Sequence, residues 1–251
     1  MRRRLFLQAL LAVLAVRPDA RAADAGPAYR IGLLTPGPAQ WDPQAFRDGL
    51  RQAGYVEGRN LTLDIRSADD SLDRLPALAK DLAASRPDVI VAVNTPGTKA
   101  AIEATRSIPI IMAVVGDPVG MRFVQSLAHP GGNVTGISNL SGELSGKRLS
   151  VLKEVAPSAR RVAILLNPND PITVQQVSDV RDIAPTIGLV VRFFPVKRVG
   201  ELAAAFEQIT GWRAEAAMWL TGQQSKLEAS TIPLAAQAKL PVMYVRGVFV
   251  R

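Results

Sequence analysis

The 251-residue sequence predicts an α/β chain made of two doubly wound parallel-sheet lobes joined by a hinge. Three observations predict it. Asp88 to Val93 and Ile108 to Val115 are apolar runs of strand length without polar alternation, as in parallel strands covered on both faces. Segments of helical period separate such runs all along the chain, the pattern of βαβ units. The strand ends lead into short loops of small and polar residues, where open parallel sheets bind ligands.

Residues 1–22 read as a signal peptide and stand outside the fold. Arg2, Arg3 and Arg4 form a positive start, Leu5 to Val16 an apolar core, and Ala20-Arg21-Ala22 a small-x-small cleavage pattern. That core is too short for a stable membrane span. Arg3-Arg4-Leu5-Phe6-Leu7 resembles a twin-arginine signal with Arg2 where Ser or Thr is usual, so Sec and twin-arginine export both stay open, as does an N-terminal membrane anchor. The chain has no Cys, which excludes lipoprotein attachment, and it is expected in the periplasm.

The formal charge is +8, but residues 1–22 carry five Arg against one Asp, so half of it lies there. No stretch interleaves Lys and Arg with aromatics, so no nucleic-acid partner is expected.

The first lobe is placed at residues 29–138. Tyr29 to Leu34 is its first strand, ended by Thr35-Pro36-Gly37-Pro38. Asp42-Pro43 starts a helix with Phe46, Leu50 and Ala53 on its core face, and Gly54 ends it. Asn60 to Arg66 alternates as a second strand near an edge. Asp69-Asp70-Ser71 caps a helix whose buried stripe is Leu72, Leu75, Leu78, Ala79 and Leu82. Three acids at 69, 70 and 73 fit the positive start of that helix better than a metal site. After the Asp88–Val93 strand, Thr95 is expected to cap a helix over Lys99–Arg106 with Pro96 at its first position. Val119 to Leu127 then reads as a short helix and Val134 to Ser138 as the closing strand. Gly131 to Gly136 lacks the spacing of a dinucleotide loop and precedes a strand.

Residues 139–251 are the second lobe. Ser141 or Ser145 starts a helix carrying Leu149, Leu152 and Val155; Arg161 to Leu166 is a buried strand ending in Asn167-Pro168-Asn169-Asp170-Pro171. Next come a helix over Ile172–Ile187, a strand over Leu189–Phe194, a helix over Gly200–Thr210 and a strand over Ala214–Leu220. A helix over Gln223–Ala238 and a strand from Pro241 to Val245 complete the lobe.

The run Thr95-Pro96-Gly97-Thr98-Lys99-Ala100-Ala101, then Ile108-Pro109-Ile110, Asp117-Pro118-Val119-Gly120 and Pro130-Gly131-Gly132-Asn133-Val134-Thr135-Gly136-Ile137-Ser138, resembles the substrate-binding proteins of ABC uptake systems. It is most similar to those associated with tryptophan and tyrosine uptake, which have the type I periplasmic-binding fold. The resemblance runs from about Tyr29 to the last residue, and the PGGNVTG block is its most specific part. It implies an extracytoplasmic receptor that captures a small amino-acid-like ligand, aromatic by the same resemblance, between two lobes. Its partner would be an ABC permease in the inner membrane. Relative to that family the chain stops soon after Met243-Tyr244-Val245, so the second lobe is expected to be incomplete, with an uncovered edge prone to association.

Chemistry points away from an enzyme. One His and no Cys exclude a Cys nucleophile and a multi-His metal site, and no G-x-S-x-G elbow or phosphate loop is present. His129, before Pro130, is expected to cap helix carbonyls or face solvent. No cofactor or metal is expected. A ligand-sensing domain of a signalling system, or a doubly wound enzyme, stay as alternatives.

The candidate ligand residues sit in strand-end loops: Thr35, Trp41, Thr95, Gly97, Asp117, Ser138, Asn139, Asn167, Gln223 and Tyr244. Small polar groups at helix starts offer N–H donors to a carboxylate. The Thr95–Thr98 turn suits that role, with a plain helix cap as the other reading. Asp117 would meet an ammonium, or else serve its own turn before Pro118. Asn139 and Asn167 equally suit loop turns. Trp41, Trp219 and Tyr244 are where an aromatic ligand ring could stack, with ordinary core packing the alternative for the last two, and Trp212 reads as peripheral packing.

Overall fold

The structure is a computed structural model that describes residues 29–37, 43–139, 144–220 and 225–244. The signal-peptide segment, Ser141, and the candidates Trp41 and Gln223 lie outside the described residues. The chain divides into two compact units, residues 1–139 and 140–251.

The first unit runs β1 (Tyr29–Thr35), α1 (Pro43–Gln52), β2 (Leu61–Ser67), a 3-10 turn (Leu72–Arg74), α2 (Leu75–Ala84), β3 (Val89–Val93), α3 (Asn94–Ala104), β4 (Ile110–Val115) and β5 (Val134–Ser138). Its five strands are all parallel, in the order β2-β1-β3-β4-β5. The chain leaves β1 towards β2 and returns to β3 on the other side, so the topological switch lies at the C-terminal ends of β1 and β3. Ile31, Leu33, Val89, Val91 and Val93 pack with Phe46 and Leu50 of α1 on one face. Leu34, Ile90, Ala92, Ile110 and Met112 pack with α2 and α3 residues, among them Leu75, Leu82 and Ala101, on the other. With both faces covered there is no place for polar alternation, which is why β3 reads as an unbroken apolar run.

The second unit repeats this winding with β6 (Arg161–Leu166), β7 (Val190–Pro195), β8 (Ala216–Trp219) and β9 (Val242–Met243) in the order β7-β6-β8-β9, again all parallel. Its described helices are α4 (Ser145–Val155), α5 (Thr173–Thr186), α6 (Leu202–Gly211) and α7 (Ser225–Gln237). Leu149, Val180, Ile164 and Met218 build one core layer, and Leu165, Phe206, Trp219 and Leu227 the other. The α/β, doubly wound expectation therefore holds for both sheets.

Several local expectations do not. The α3 helix begins at Asn94 rather than Lys99 and ends at Ala104, with Val93 as its flanking residue and no side-chain cap. Thr95 is thus inside the first helical turn, not the cap. Asn94 makes the sharp strand-to-helix passage by taking a left-handed φ of 66°, which Asn tolerates better than other non-glycine residues. Val119 to Leu127 is a chain of turns rather than a helix; Arg122 at φ 57° interrupts any helical winding. His129 consequently caps no helix, and its backbone closes a turn with the Ser126 hydroxyl. Ser71 bounds the 3-10 turn without a side-chain capping bond, Asp69 and Asp70 both have left-handed φ, and Leu78 is only partly buried. Val155 is 73% exposed, since α4 ends as it leaves the core.

Candidate functional site

In the first unit the described candidates line one edge of the sheet, at the C-terminal ends of β1, β3, β4 and β5. Thr35 is buried, and its hydroxyl donates to the Gly37 carbonyl at 3.0 Å while accepting from the Gly37 N–H at 3.3 Å. That closes the turn after β1. Asp70 N–H donates to the Pro36 carbonyl at 2.7 Å, and a Cβ on Gly37 would fall 2.0 Å from the Asp70 carboxylate. Glycine at this position lets the carboxylate lie against the β1 turn.

The first turn of α3 stands beside it. Asn94, Thr95, Pro96, Gly97 and Thr98 are all buried, and Thr98 donates to the Ala92 carbonyl at 3.3 Å. Pro96 has no N–H to leave unsatisfied, which suits a first turn. Gly97 faces β1, where a Cβ would lie 3.4 Å from the Leu34 carbonyl oxygen, an ordinary contact distance. Thr95 Oγ1 accepts the Gly116 N–H at 3.3 Å, tying the end of β4 to the start of α3.

Beyond Gly116, the half-buried Asp117 accepts the Gly120 N–H at 2.8 Å through Oδ1. It is therefore a turn aspartate whose Oδ1 is engaged within its own loop. Ser138 donates to the Val115 carbonyl at 3.0 Å, and the Asn139 N–H donates to the same carbonyl at 2.9 Å. Ser138 is half-buried and Asn139 exposed. Thr35, Thr95, Gly97, Asp117, Ser138 and Asn139 thus form a contiguous row along neighbouring strands. Its chemistry is a helix start with inward N–H dipoles, a carboxylate and several hydroxyls, which suits a small zwitterion or anion.

In the second unit the corresponding edge carries Asn167 and Tyr244. Asn167 is buried, and its Oδ1 accepts the Asn169 N–H at 2.8 Å, so it serves its own loop turn. Tyr244 is half-buried and its hydroxyl accepts from Thr231 at 3.1 Å. Burial pushes the Tyr244 phenol up, the Thr231 bond offsets part of this, and the charge of Glu228 adds to the rise. Trp219 is 3% exposed and belongs to the core, so it offers no open ring. Trp212 packs on Phe194 with ring centres 6.1 Å apart.

Asp170, one of the polar strand-end loop residues of the sequence, lies at this edge together with two residues that sequence reasoning missed, the half-buried Arg148 and the buried Glu228. Asp170 is fully buried and accepts the Ile172 N–H at 3.2 Å, and Thr173 donates to its carbonyl at 2.7 Å. Arg148 donates to the buried Ser145 hydroxyl at 3.1 Å. Burial lowers the Arg148 guanidinium from its ordinary value, and the Glu228 charge opposes that shift. Glu228 is 1% exposed in the first turn of α7. A first-turn acid and an Arg flanking a Leu149/Leu152 stripe look like solvated helix residues in a sequence. Only the spacing Ser145-x-x-Arg148 on the same helix face could have raised them.

Three comparisons bear on this geometry. Residues 39–250 match the model of a family described as ABC transporter substrate binding protein. A tyrosine-binding protein of Clostridioides difficile (strain R20291) is 33% identical over 141 residues, 56% of this chain and 40% of that protein. The aligned part thus spans less than half of that relative's length. Among solved structures, a conserved domain protein from Vibrio cholerae O1 biovar El Tor superposes with a TM-score of 0.79 at 26% identity, covering 89% of this chain and 76% of that one. An ABC domain from Streptococcus pneumoniae in complex with L-Trp gives a TM-score of 0.75 at 23% identity, covering 88% and 75%. That last likeness speaks for the fold.

Proposed function

The chain belongs to the ABC transporter substrate-binding proteins, and from that membership we propose that it is a periplasmic receptor capturing a small amino-acid-like ligand for an ABC permease in the inner membrane. Residues 1–22 would direct its export. Binding without chemical conversion is the whole of its task in this reading.

The observation that carries it is the buried first turn of α3 at the switch point, held to Gly116 by Thr95, with Asp117 in the adjoining loop. The N–H groups of that turn suit an α-carboxylate and Asp117 Oδ2 suits an α-ammonium. Thr35, Gly97, Ser138 and Asn139 shape the same row, and Asn167 and Tyr244, with Trp41 and Gln223, are the remaining proposed ligand residues. The relative named as a tyrosine-binding protein supports an aromatic amino acid as the ligand class.

Calorimetric titration with L-tyrosine, L-tryptophan and L-leucine tests this. Asp117→Asn keeps an acceptor for the Gly120 N–H but loses the charge, and should weaken binding by about 1.5–3 kcal/mol. Thr95→Ala should cost less, because the helix-start amides persist. Unchanged affinity in Asp117→Asn removes this residue from the site, and turnover of a bound compound overturns the receptor reading.

A further inference from the structure

We propose that Val114 is a specificity-determining residue, whose isopropyl group a strained bulge in β4 turns outward to contact the apolar side chain of the ligand. The inference rests on the receptor reading above and goes beyond it to a residue in none of the sequence motifs.

The strand Ile110-Ile111-Met112-Ala113-Val114-Val115 is buried at every position except Val114, which is 41% exposed. Its pairing with β5 explains how. Ala113 sits opposite Ile137 and Val115 opposite Ser138, so Val114 is an extra residue with no partner across the ladder. Such bulges re-aim a side chain and collect beside functional sites. The bulge also keeps Val115 buried; a one-residue slip would turn Val115 to the opposite face.

The residue type is the anomaly. Val114 has φ 64°, the left-handed region, where a Cβ crowds the following carbonyl and a β-branched side chain fits worst. Glycine or asparagine would make this turn without strain. A backbone need alone therefore does not account for valine, while a contact made by its side chain does. The position supports that contact. Gly116, two residues on, is held by Thr95, and the Val115 carbonyl accepts from Ser138 and Asn139. An exposed apolar group fixed among polar anchors is the composition of a small-ligand site.

The test uses the full chain with Val114→Gly and Val114→Asn, both of which suit left-handed backbone. Melting without ligand should show no loss in either, with a rise of up to about 3 °C as strain is relieved. The Kd for L-tyrosine should rise about fivefold or more in both, and the asparagine variant should lose preference for L-tyrosine over L-serine. Affinity for L-tyrosine within about twofold of the wild type overturns the inference, and so does a Tm drop of several degrees, which would make Val114 a packing residue. A wild-type chain that binds none of L-tyrosine, L-tryptophan and L-leucine takes down the receptor reading and this inference together. That outcome is distinct from wild-type binding which the variants leave intact.

Discussion

Glu215 stands just before β8 and accepts the backbone N–H groups of Arg160 at 2.7 Å and Arg161 at 2.8 Å, at the start of β6. Asp88 plays the same part in the first unit, accepting the Arg30 N–H at 2.8 Å before β3. In each sheet a carboxylate thus pins the entrance of an interior strand, β1 in the first and β6 in the second. The N–H bonds from Arg161 and Arg160, with their charges, hold the Glu215 carboxyl below its ordinary value. The ionised form is therefore favoured by folding, so its contribution is complete above the unfolded value near 4.5 and is lost as pH falls through the lower folded one. Melting temperature measured from neutral pH down to about pH 3 should fall for the wild type, and Glu215→Gln should be less stable at neutral pH with a shallower acid loss. Equal slopes for the two would show that this carboxylate makes no pH-linked contribution. Residue-level roles of this sort were the least legible in the sequence. Thr95-Pro96 matches a capping rule, yet Asn94 takes the left-handed turn itself and frees the Thr95 hydroxyl to reach Gly116, a partner 21 residues away. Arg148 and Glu228 likewise gain meaning only when α4 and α7 come together with their sheet.

At the scale of elements, the strands were legible because burial on both faces leaves its record in composition. Ile90, Val91 and Ala92 show it for β3, and Val162, Ala163 and Ile164 for β6, all within 1% of full burial. Helices were legible where an apolar stripe recurs, as at Leu75, Ala79 and Leu82. The stretch from Val119 to Leu127 failed because its apolar residues, Val119, Phe123, Val124 and Leu127, mimic a helical period. The Asp117–Gly120 bond and the left-handed Arg122 set its path instead. The PGGNVTG block illustrates a further limit: its sequence marks a family, while its physical reason lies in the neighbouring strand. Gly136 in β5 has φ 144°, and a Cβ there would fall 2.0 Å from the Met112 carbonyl oxygen and 2.8 Å from its nitrogen. The obstacle is backbone of β4, which cannot swing aside as a side chain would. Gly136→Ala should therefore destabilise by about 3 kcal/mol or more, read as a lower midpoint in urea unfolding. Gly132→Ala, where a Cβ meets nothing within 4 Å, is the control and should leave the midpoint nearly unchanged. Equal midpoints for the two variants would mean that β4 and β5 are not held this closely.

For the whole molecule, each unit carries a sheet with its own layers of core on both faces, and among the described residues each sheet is built from the strands of its own unit. In the first unit the five strands are ordered so that the apolar β1, β3 and β4 are interior and the more polar β2, with Asp64 and Arg66 paired at 2.8 Å, is at an edge. Charge on an edge strand discourages pairing with another chain. At roughly 110 residues, residues 29–139 fall within the size range in which a single core sustains folding. Its helices α1, α2 and α3 are close in sequence to the strands they cover, so most of the closure entropy is local. We therefore predict that residues 29–139, expressed alone, fold with α/β circular dichroism and a cooperative thermal melt. Leu33→Ala in that fragment removes a fully buried side chain beside Phe46 and Leu50, and should lower its stability by about 2–5 kcal/mol. A fragment that melts without cooperativity, or that is indifferent to Leu33→Ala, would mean that the second unit is needed to hold the first sheet together.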